Sequence, residues 1–269
     1  MNNVTTLFLK EQMEHWRSLK WIWLPIVFAI LGMMQPLMMY YLPEIMGAMG
    51  GDGSEQGSAI AGLMGNVNAQ QVMAGTLSSQ FDQLGIIILV VALMGAIISE
   101  KNNGMLAFIL TRPVKAWQYI LAKWFSQALL VFISLGLGYF AAYYYVYLLY
   151  GGIQTASIFA GFGIYLVWVL FLVSAVLILG IVFRSTAVVA MIGAGGAIIL
   201  ELVSGASGWG QIFNPAYLSA NAANMIVTGD VEAYFVGNLL ISLFFIVVLL
   251  VLSIVLLTKK KFHIGSSHE

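Results

Sequence analysis

The stretch YFVGNLLISLFFIVVLLVLSIVLL, Tyr234–Leu257, contains no charged residue and is followed by Lys259, Lys260 and Lys261. A helix of this length rises about 36 Å at about 1.5 Å per residue, and the hydrocarbon core of a bilayer is about 30 Å thick. The stretch is therefore predicted to span a membrane. Overall composition agrees, since 61% of the 269 residues are hydrophobic and 8% are charged, against about 25% charged in a typical soluble domain.

Other stretches of the chain are also long and apolar enough to cross a bilayer. In chain order, the predicted spans are Trp21–Tyr41, Gln83–Ser99, Tyr119–Leu149, Phe159–Phe183, Ala187–Val203 and Tyr234–Leu257. The sequence thus predicts an all-α, polytopic membrane protein of about six transmembrane helices, with a transmembrane domain over 21–258. The chain has no cysteine, which excludes a disulfide, a thiolate metal site and a catalytic thiol.

The basic residues fall on alternate sides of the predicted spans. All 11 Lys and Arg residues lie before the first span, between the second and third or at the start of the third, between the fourth and fifth, or after the sixth. Because cytoplasmic loops of membrane proteins are enriched in Lys and Arg, we expect a multi-pass protein of the cell membrane with both termini in the cytoplasm. Residues 259–269 then form a cytoplasmic basic tail.

Two segments are predicted on the opposite, outer side. Residues 44–82 are rich in Gly, Ser, Asn and Gln and are expected to form an outer loop. Residues 204–232 begin with SGASGWGQIFNPAY, which has too many glycines and a proline for a regular helix but contains aromatic residues suited to an interface. This second segment is predicted to be re-entrant or interfacial, since irregular backbone is tolerated there only under cover of protein or water.

Residues 1–20 predict an amphipathic helix. On a helical wheel one arc carries Phe8, Leu9, Met13, Trp16 and Leu19, and the opposite arc carries Lys10, Glu14 and Arg17. Such a helix is expected to lie in the interface of the cytoplasmic leaflet. A frayed polar tail is the alternative.

The sequence contains no recognisable catalytic or metal-binding constellation. The three histidines, His15, His263 and His268, all fall in flanks of the predicted spans rather than at membrane depth. No Gly-rich loop ends in Gly-Lys-Ser/Thr, so the chain is not expected to hydrolyse ATP alone. We therefore predict no catalytic residue, no metal and no cofactor bound by this chain, and the net charge of +0 gives no indication of a nucleic-acid partner.

Glu201 is the acid that falls inside a predicted span, near the end of the fifth. Charged groups at membrane depth are costly and often mark a substrate path, so Glu201 is a candidate for a translocation path. Alternatively, Glu201 lies near the outer interface, in water or bonded to Ser204 and the backbone.

The segment between the second and third spans, EKNNGMLAFILTRPVKAWQ at residues 100–118, carries an apolar run that lipid does not cover. The run Met105–Leu110, stopped at Pro113, predicts a short cytoplasmic helix with one hydrophobic side. An uncovered apolar patch usually marks a partner site. The alternative is a helix that lies on the lipid headgroups with its basic side chains snorkelling.

The same segment resembles the permeases of the ABC type-2 exporter family. The resemblance rests on an acid, Glu100, followed by Gly104, a Leu-rich helix, a turn at Pro113 with the basic Lys115, and Lys123 at the start of the next span. The six-span outline and the amphipathic first helix are also similar. Met105 departs from the family pattern, in which a small hydroxylic residue is common there.

The resemblance implies that 100–118 is a coupling helix, which sits in a groove of a separate ATPase subunit. The residues expected to couple to that ATPase are Glu100, Gly104, Met105, Leu106, Phe108, Leu110, Arg112, Pro113 and Lys115. Glu100 is expected to pair with Lys101, Lys123 or Arg112 and to act as a hinge. ATP and Mg²⁺ would bind to the partner ATPase.

The implied function is that of a permease subunit of an ABC exporter, paired with a second copy or with a similar permease. One rival interpretation is a secondary transporter driven by an ion gradient, with Glu201 as its proton or cation site. Another is a membrane scaffold or sensor that transports nothing. The resemblance rests on the residues that couple to the ATPase and not on residues that contact a substrate. Peptides, lipids, sodium and other small molecules therefore all remain open as substrates.

Overall fold

The computed structural model of this protein describes residues 3–50, 68–104, 114–152, 154–205 and 210–259. Every regular element in those residues is helical, which confirms the predicted all-α fold. The helices are α1 (Asn3–Arg17), α2 (Lys20–Gly50), α3 (Ala69–Asn102), α4 (Ala116–Tyr150), α5 (Thr155–Val182), α6 (Thr186–Ser204), α7 (Gly210–Phe213), α8 (Tyr217–Thr228) and α9 (Phe235–Lys259). Six of the described helices, α2 to α6 and α9, are long and apolar enough to cross a membrane, which confirms a polytopic membrane protein.

The second span begins earlier than the sequence predicted. The prediction placed an outer loop at 44–82, whereas α2 continues to Gly50 and α3 already begins at Ala69. The first half of α3 carries Gln, Ser and Asp side chains, so hydropathy alone did not mark it as a span. Some of these polar side chains bond to other helices: Gln80 Nε2 donates to Gln35 Oε1 on α2 at 3.1 Å.

Part of α3 is not a regular α-helix. Thr76–Gly85 is π-helical, with wider turns than the α-helical residues on either side. Buried in this π segment are Phe81 and Asp82. Single π turns occur often at functional positions, because the extra residue changes which side chains point inward.

The bundle is tightest where α2 crosses α4. A Cβ atom added at Gly138 would lie 2.5 Å from the main-chain oxygen of Phe28, and one added at Gly32 would lie 2.1 Å from that of Gly138. Neither position has room for a side chain, so the two backbones touch. Close approach through small residues is a common way for membrane helices to gain packing energy.

The first helix lies against the bundle with its polar side inward. Glu11 and His15 are buried, and Gln12 Nε2 donates to Ser126 Oγ on α4 at 3.2 Å. Leu9 and Trp16 face outward and are 48% and 63% exposed. An outward apolar face fits the predicted interfacial helix, since a bilayer surface would cover those side chains.

Two asparagines fix the chain between α6 and α9. Asn238 of α9 donates its amide to the main-chain oxygens of Gln211 and Asn214, both at 2.8 Å. Asn214 in turn donates to the main-chain oxygen of Leu200 on α6 at 2.7 Å. These bonds satisfy the carbonyl groups that the short helix α7 leaves free, and they seat α8 beside α3 and α5.

Candidate functional site

One end of the bundle, which we call the terminal end, contains α1 and the last turn of α9. There Leu7 of α1 and Leu257 of α9 pack with Ile97 of α3 and Tyr119 of α4. The terminal end therefore also contains the end of α3 and the start of α4, the two helices that flank the predicted coupling segment.

Five side chains from α1, α3 and α4 form an ionic cluster at the terminal end, buried except for Lys10, which is partly exposed. They are Lys10, Glu11, Glu100, Tyr119 and Lys123. The Nζ atom of Lys123 lies 2.8 Å from Glu11 Oε2 and 3.2 Å from Glu100 Oε2. Glu100 also accepts hydrogen bonds from Lys10 Nζ and from the Tyr119 hydroxyl. The ionic cluster thus ties three helices together through one carboxylate.

The charges of the ionic cluster balance, because two lysines face two glutamates. Lys123 and Glu100 are only 1% and 3% exposed, so neither is solvated by water. Burial raises the pKa of Glu11, and the nearby charge of Lys123 offsets only part of that effect. Burial alone would lower the pKa of Lys10, but the hydrogen bond to Glu100 and its negative charge outweigh burial and raise it.

The glutamates of the ionic cluster also have the spacing of a cation site. Carboxylate oxygens of Glu11, Glu14 and Glu100 lie within 4.8 Å of one another. Lys10 and Lys123 already supply positive charge to two of these carboxylates, and Glu14 is exposed. The arrangement is therefore that of a salt-bridge network joining helices.

Two further lysines join helices at the terminal end. Lys101 donates from Nζ to the main-chain oxygens of Ile181 and Phe183, at 2.9 and 2.6 Å, and so caps the carboxyl end of α5. Lys20 donates to the main-chain oxygen of Ala92 on α3 at 2.7 Å. These contacts place the basic residues of separate loops at one end of the bundle.

The structure describes three of the predicted coupling residues. Glu100 pairs with Lys123, one of the three partners that the sequence suggested, and with Lys10, which it did not. Gly104 follows the end of α3 with a φ of 69°, a left-handed conformation that glycine adopts without strain. Lys115 directly precedes α4 and is exposed. Outside the described residues lie Met105, Leu106, Phe108, Leu110, Arg112 and Pro113.

Glu201 lies within α6, as predicted, but its environment differs from the alternative suggested by the sequence. The hydroxyl of Ser204 donates to the main-chain oxygen of Glu201 at 2.6 Å and not to its carboxylate. Oε1 of Glu201 is buried without a hydrogen-bond partner among the described residues. Glu201 is close enough to Asp82 of α3 for the two acids to interact electrostatically.

Sequence reasoning missed Asp82, and for the ionic cluster it missed Lys10 and Glu11. Asp82 was assigned to a loop because the polar start of α3 lowers its hydropathy. A signal for the ionic cluster was present, since Lys123 falls inside the predicted third span and a lysine at membrane depth requires an acidic or carbonyl partner. Which acid supplies it depends on where α1 packs, and no periodicity of the sequence specifies that.

Comparison with known proteins gives two matches. A family model described as ABC-2 family transporter protein matches residues 5–262. An uncharacterized transmembrane protein of Bacillus subtilis strain 168, YxlG, is 36% identical over 254 residues, which cover 94% of this chain and 96% of the relative. The match to the family model extends over the ionic cluster and over all the described spans.

Proposed function

The chain belongs to the ABC-2 family of transporter proteins, and from this premise we propose that it is the membrane-spanning permease subunit of an ABC exporter. A separate cytoplasmic ATPase would bind ATP and Mg²⁺ and supply the energy. Two permease chains, identical or similar, would enclose the translocation path between them. Both termini, and with them the terminal end, would face the cytoplasm.

The observation that carries this proposal is the ionic cluster. It joins the two ends of the predicted coupling segment, because Glu100 is the first residue of that segment and Lys123 lies just after it. It also adds α1 through Lys10 and Glu11. A movement of the coupling segment would therefore be transmitted to α1, α3 and α4 together, rather than being absorbed by bending of one loop.

In this mechanism the apolar face of Met105, Leu106, Phe108 and Leu110 docks into the ATPase. When the ATPase subunits close on ATP, the docked segment moves and carries the ends of α3 and α4 with it. Buried ion pairs resist separation, because a single charge left without its partner at this depth is costly. The ionic cluster would thus keep α1, α3 and α4 moving as one body.

The substitution Phe108→Asp tests the docking step. A charge placed in a desolvated contact should cost several kcal/mol of binding, so co-purification of the ATPase and permease-dependent ATP hydrolysis should both be lost. Asn103→Asp is a matched control, since it adds the same charge at an exposed position just before the apolar run Met105–Leu110. Insertion and abundance of both variants should remain normal.

If Phe108→Asp leaves ATPase binding and transport intact, the coupling role of the segment is wrong. The secondary transporter with Glu201 as its ion site would then be the better interpretation. Pro113→Ala should be milder than Phe108→Asp, because it lets the helix continue and misdirects Lys115 without removing the apolar contact.

A further inference from the structure

A second buried acid lies far from the ionic cluster, in the π segment of α3. Asp82 is 6% exposed and accepts a hydrogen bond at Oδ2 from the hydroxyl of Ser219 on α8. Its other oxygen, Oδ1, is buried and has no hydrogen-bond partner among the described residues. The carboxyl group is therefore only half satisfied.

Among the described residues, the side chains around Asp82 supply no positive charge. Tyr165 of α5 is fully buried and turns its hydroxyl toward the same carboxyl, but forms no hydrogen bond of standard geometry. Glu201 of α6 is a second acid within electrostatic range. On α2, the Gln35 amide accepts a hydrogen bond from Gln80, two residues before Asp82 in the π segment.

All described Lys and Arg residues belong to segments at the terminal end, whereas α8 packs at the opposite end of α3. An ionised carboxylate at Asp82 would thus be buried beside another acid with no counter-charge, a costly arrangement within a membrane domain.

We propose that Asp82 is a buried proton-binding site of the membrane domain, with Ser219 and Tyr165 as its hydrogen-bond partners. The proton neutralises a buried carboxyl that no described cation balances, and a small shift of Tyr165 would let its hydroxyl pair with Oδ1, which otherwise lacks a partner. It also removes the repulsion between Asp82 and Glu201. Ser219 still donates to Oδ2, so the neutral site keeps its hydrogen bond to α8.

The proposal goes beyond the exporter function and does not depend on it. It assigns to the chain a proton site whose occupancy acts on the contact between α3 and α8, because Ser219 is the residue of α8 that Asp82 holds. Loss of the proton would leave a charge at this contact that only water could solvate. We therefore expect the binding and release of the proton to alter the seating of α8.

Infrared difference spectroscopy of the purified protein in lipid nanodiscs tests this site, since a protonated carboxylic acid has a carbonyl-stretch band that a carboxylate lacks. The chain has three aspartates, Asp52, Asp82 and Asp230. The variant Asp52→Asn with Asp230→Asn leaves Asp82 as the only aspartate, without altering the site itself. When this variant is labelled with aspartate carrying carbon-13 in its side-chain carboxyl, its carbonyl-stretch band at neutral pH should shift from the position seen in the unlabelled variant. Raising the pH should remove the band.

Two site variants complete the test. Asp82→Asn, a neutral mimic of the protonated acid, should abolish the labelled band, whereas Glu201→Gln should retain it. The proposal is overturned if the double variant shows no aspartate band at neutral pH, or if Asp82→Asn keeps the band that the wild-type protein has. Loss of the band on adding sodium ions at constant pH would also overturn it, in favour of a metal-cation site.

Discussion

At the residue scale, the ionic cluster shows how a lysine can be buried inside a spanning helix. Lys123 is 1% exposed, yet its ammonium group contacts carboxylates of both Glu11 and Glu100. The cost of removing the ammonium from water is offset only while those contacts persist. Removal of one member should therefore cost far more than removal of a surface charge.

Lys123→Met keeps the apolar length of the side chain but leaves two buried glutamates without their shared cation. We expect a loss of stability of about 3–5 kcal/mol, measured by equilibrium unfolding in mixed SDS micelles. Lys115→Met is the matched control, because Lys115 is exposed and should change little. Adding Glu100→Gln to Lys123→Met should recover part of the loss, and a purely additive double variant would contradict the ion-pair interpretation.

His15 makes the attachment of α1 sensitive to acid. Burial lowers its pKa from 6.5 to about 4, and the positive charges of Lys20 and Lys123 act in the same direction. As the pH falls from 6.5 to 4, His15 binds a proton in the unfolded chain but stays neutral in the folded chain. Stability present above pH 6.5 is therefore lost progressively toward pH 4, by roughly 3 kcal/mol in total.

His15→Leu should flatten the fall in stability between pH 6.5 and 4, as followed by thermal unfolding at a series of pH values. A variant with both His263→Gln and His268→Gln keeps His15 and should behave like the wild-type protein. An unchanged pH slope in His15→Leu would show that another group causes the acid sensitivity.

At the element scale, two features of the bundle are expected to have different roles. One is the contact between α2 and α4, and the other is the π segment of α3. The first is a rigid contact of two backbones at Gly32 and Gly138. The second departs from α-helical geometry and holds Asp82 against α8. We expect the rigid contact to set the stability of the bundle, and the π segment to be where its conformation responds to a bound proton.

Gly138→Ala should destabilise the bundle, because the added methyl group would lie 2.5 Å from the Phe28 main-chain oxygen. Overpacking of this kind costs about 1–3 kcal/mol, which should appear in the same SDS unfolding measurement. In Gly136→Ala the nearest side-chain atom, from Phe162, is 3.8 Å away. This control should be neutral or slightly stabilising, since alanine favours helix; an equal loss in both variants would point to a cause other than the α2–α4 contact.

At the scale of the whole molecule, the two ends of the bundle differ both in charge and in structure. The terminal end contains the ionic cluster and the capping contacts of Lys20 and Lys101. The opposite end contains α7 and α8, which Asn214 and Asn238 hold in place. The excess of basic residues at the terminal end is the basis for expecting that end to face the cytoplasm.

Fusion of a paired reporter, alkaline phosphatase or green fluorescent protein, tests this orientation. Fusions after Gly51, Gly152 and Gly229 should report an external position, and fusions after Asn102, Arg184 and Ser266 a cytoplasmic one. The reason is that the Lys and Arg residues are confined to alternate sides of the spans. A cytoplasmic signal at Gly51 would reverse the expected topology.

The sequence by itself determined the fold class and most of the spans. Apolar length is a local property, so the predicted Tyr234–Leu257 and the observed Phe235–Lys259 agree closely. The membrane requires these apolar stretches to be helical, because within lipid a single segment can pair all its backbone N–H and C=O groups only as a helix. The coupling segment stays a prediction from its adjacent Gly, apolar run and Pro, since Met105–Pro113 lie outside the described residues.

Only the tertiary structure decided which polar groups meet. Lys10 is 90 residues from Glu100, and Ser219 is 137 residues from Asp82. A hydropathy window averages neighbours in the chain, so it read the polar start of α3 as a loop. Whether a polar residue in a membrane protein faces lipid, water or a partner depends on packing between helices, and that packing is what placed the ionic cluster and buried Asp82.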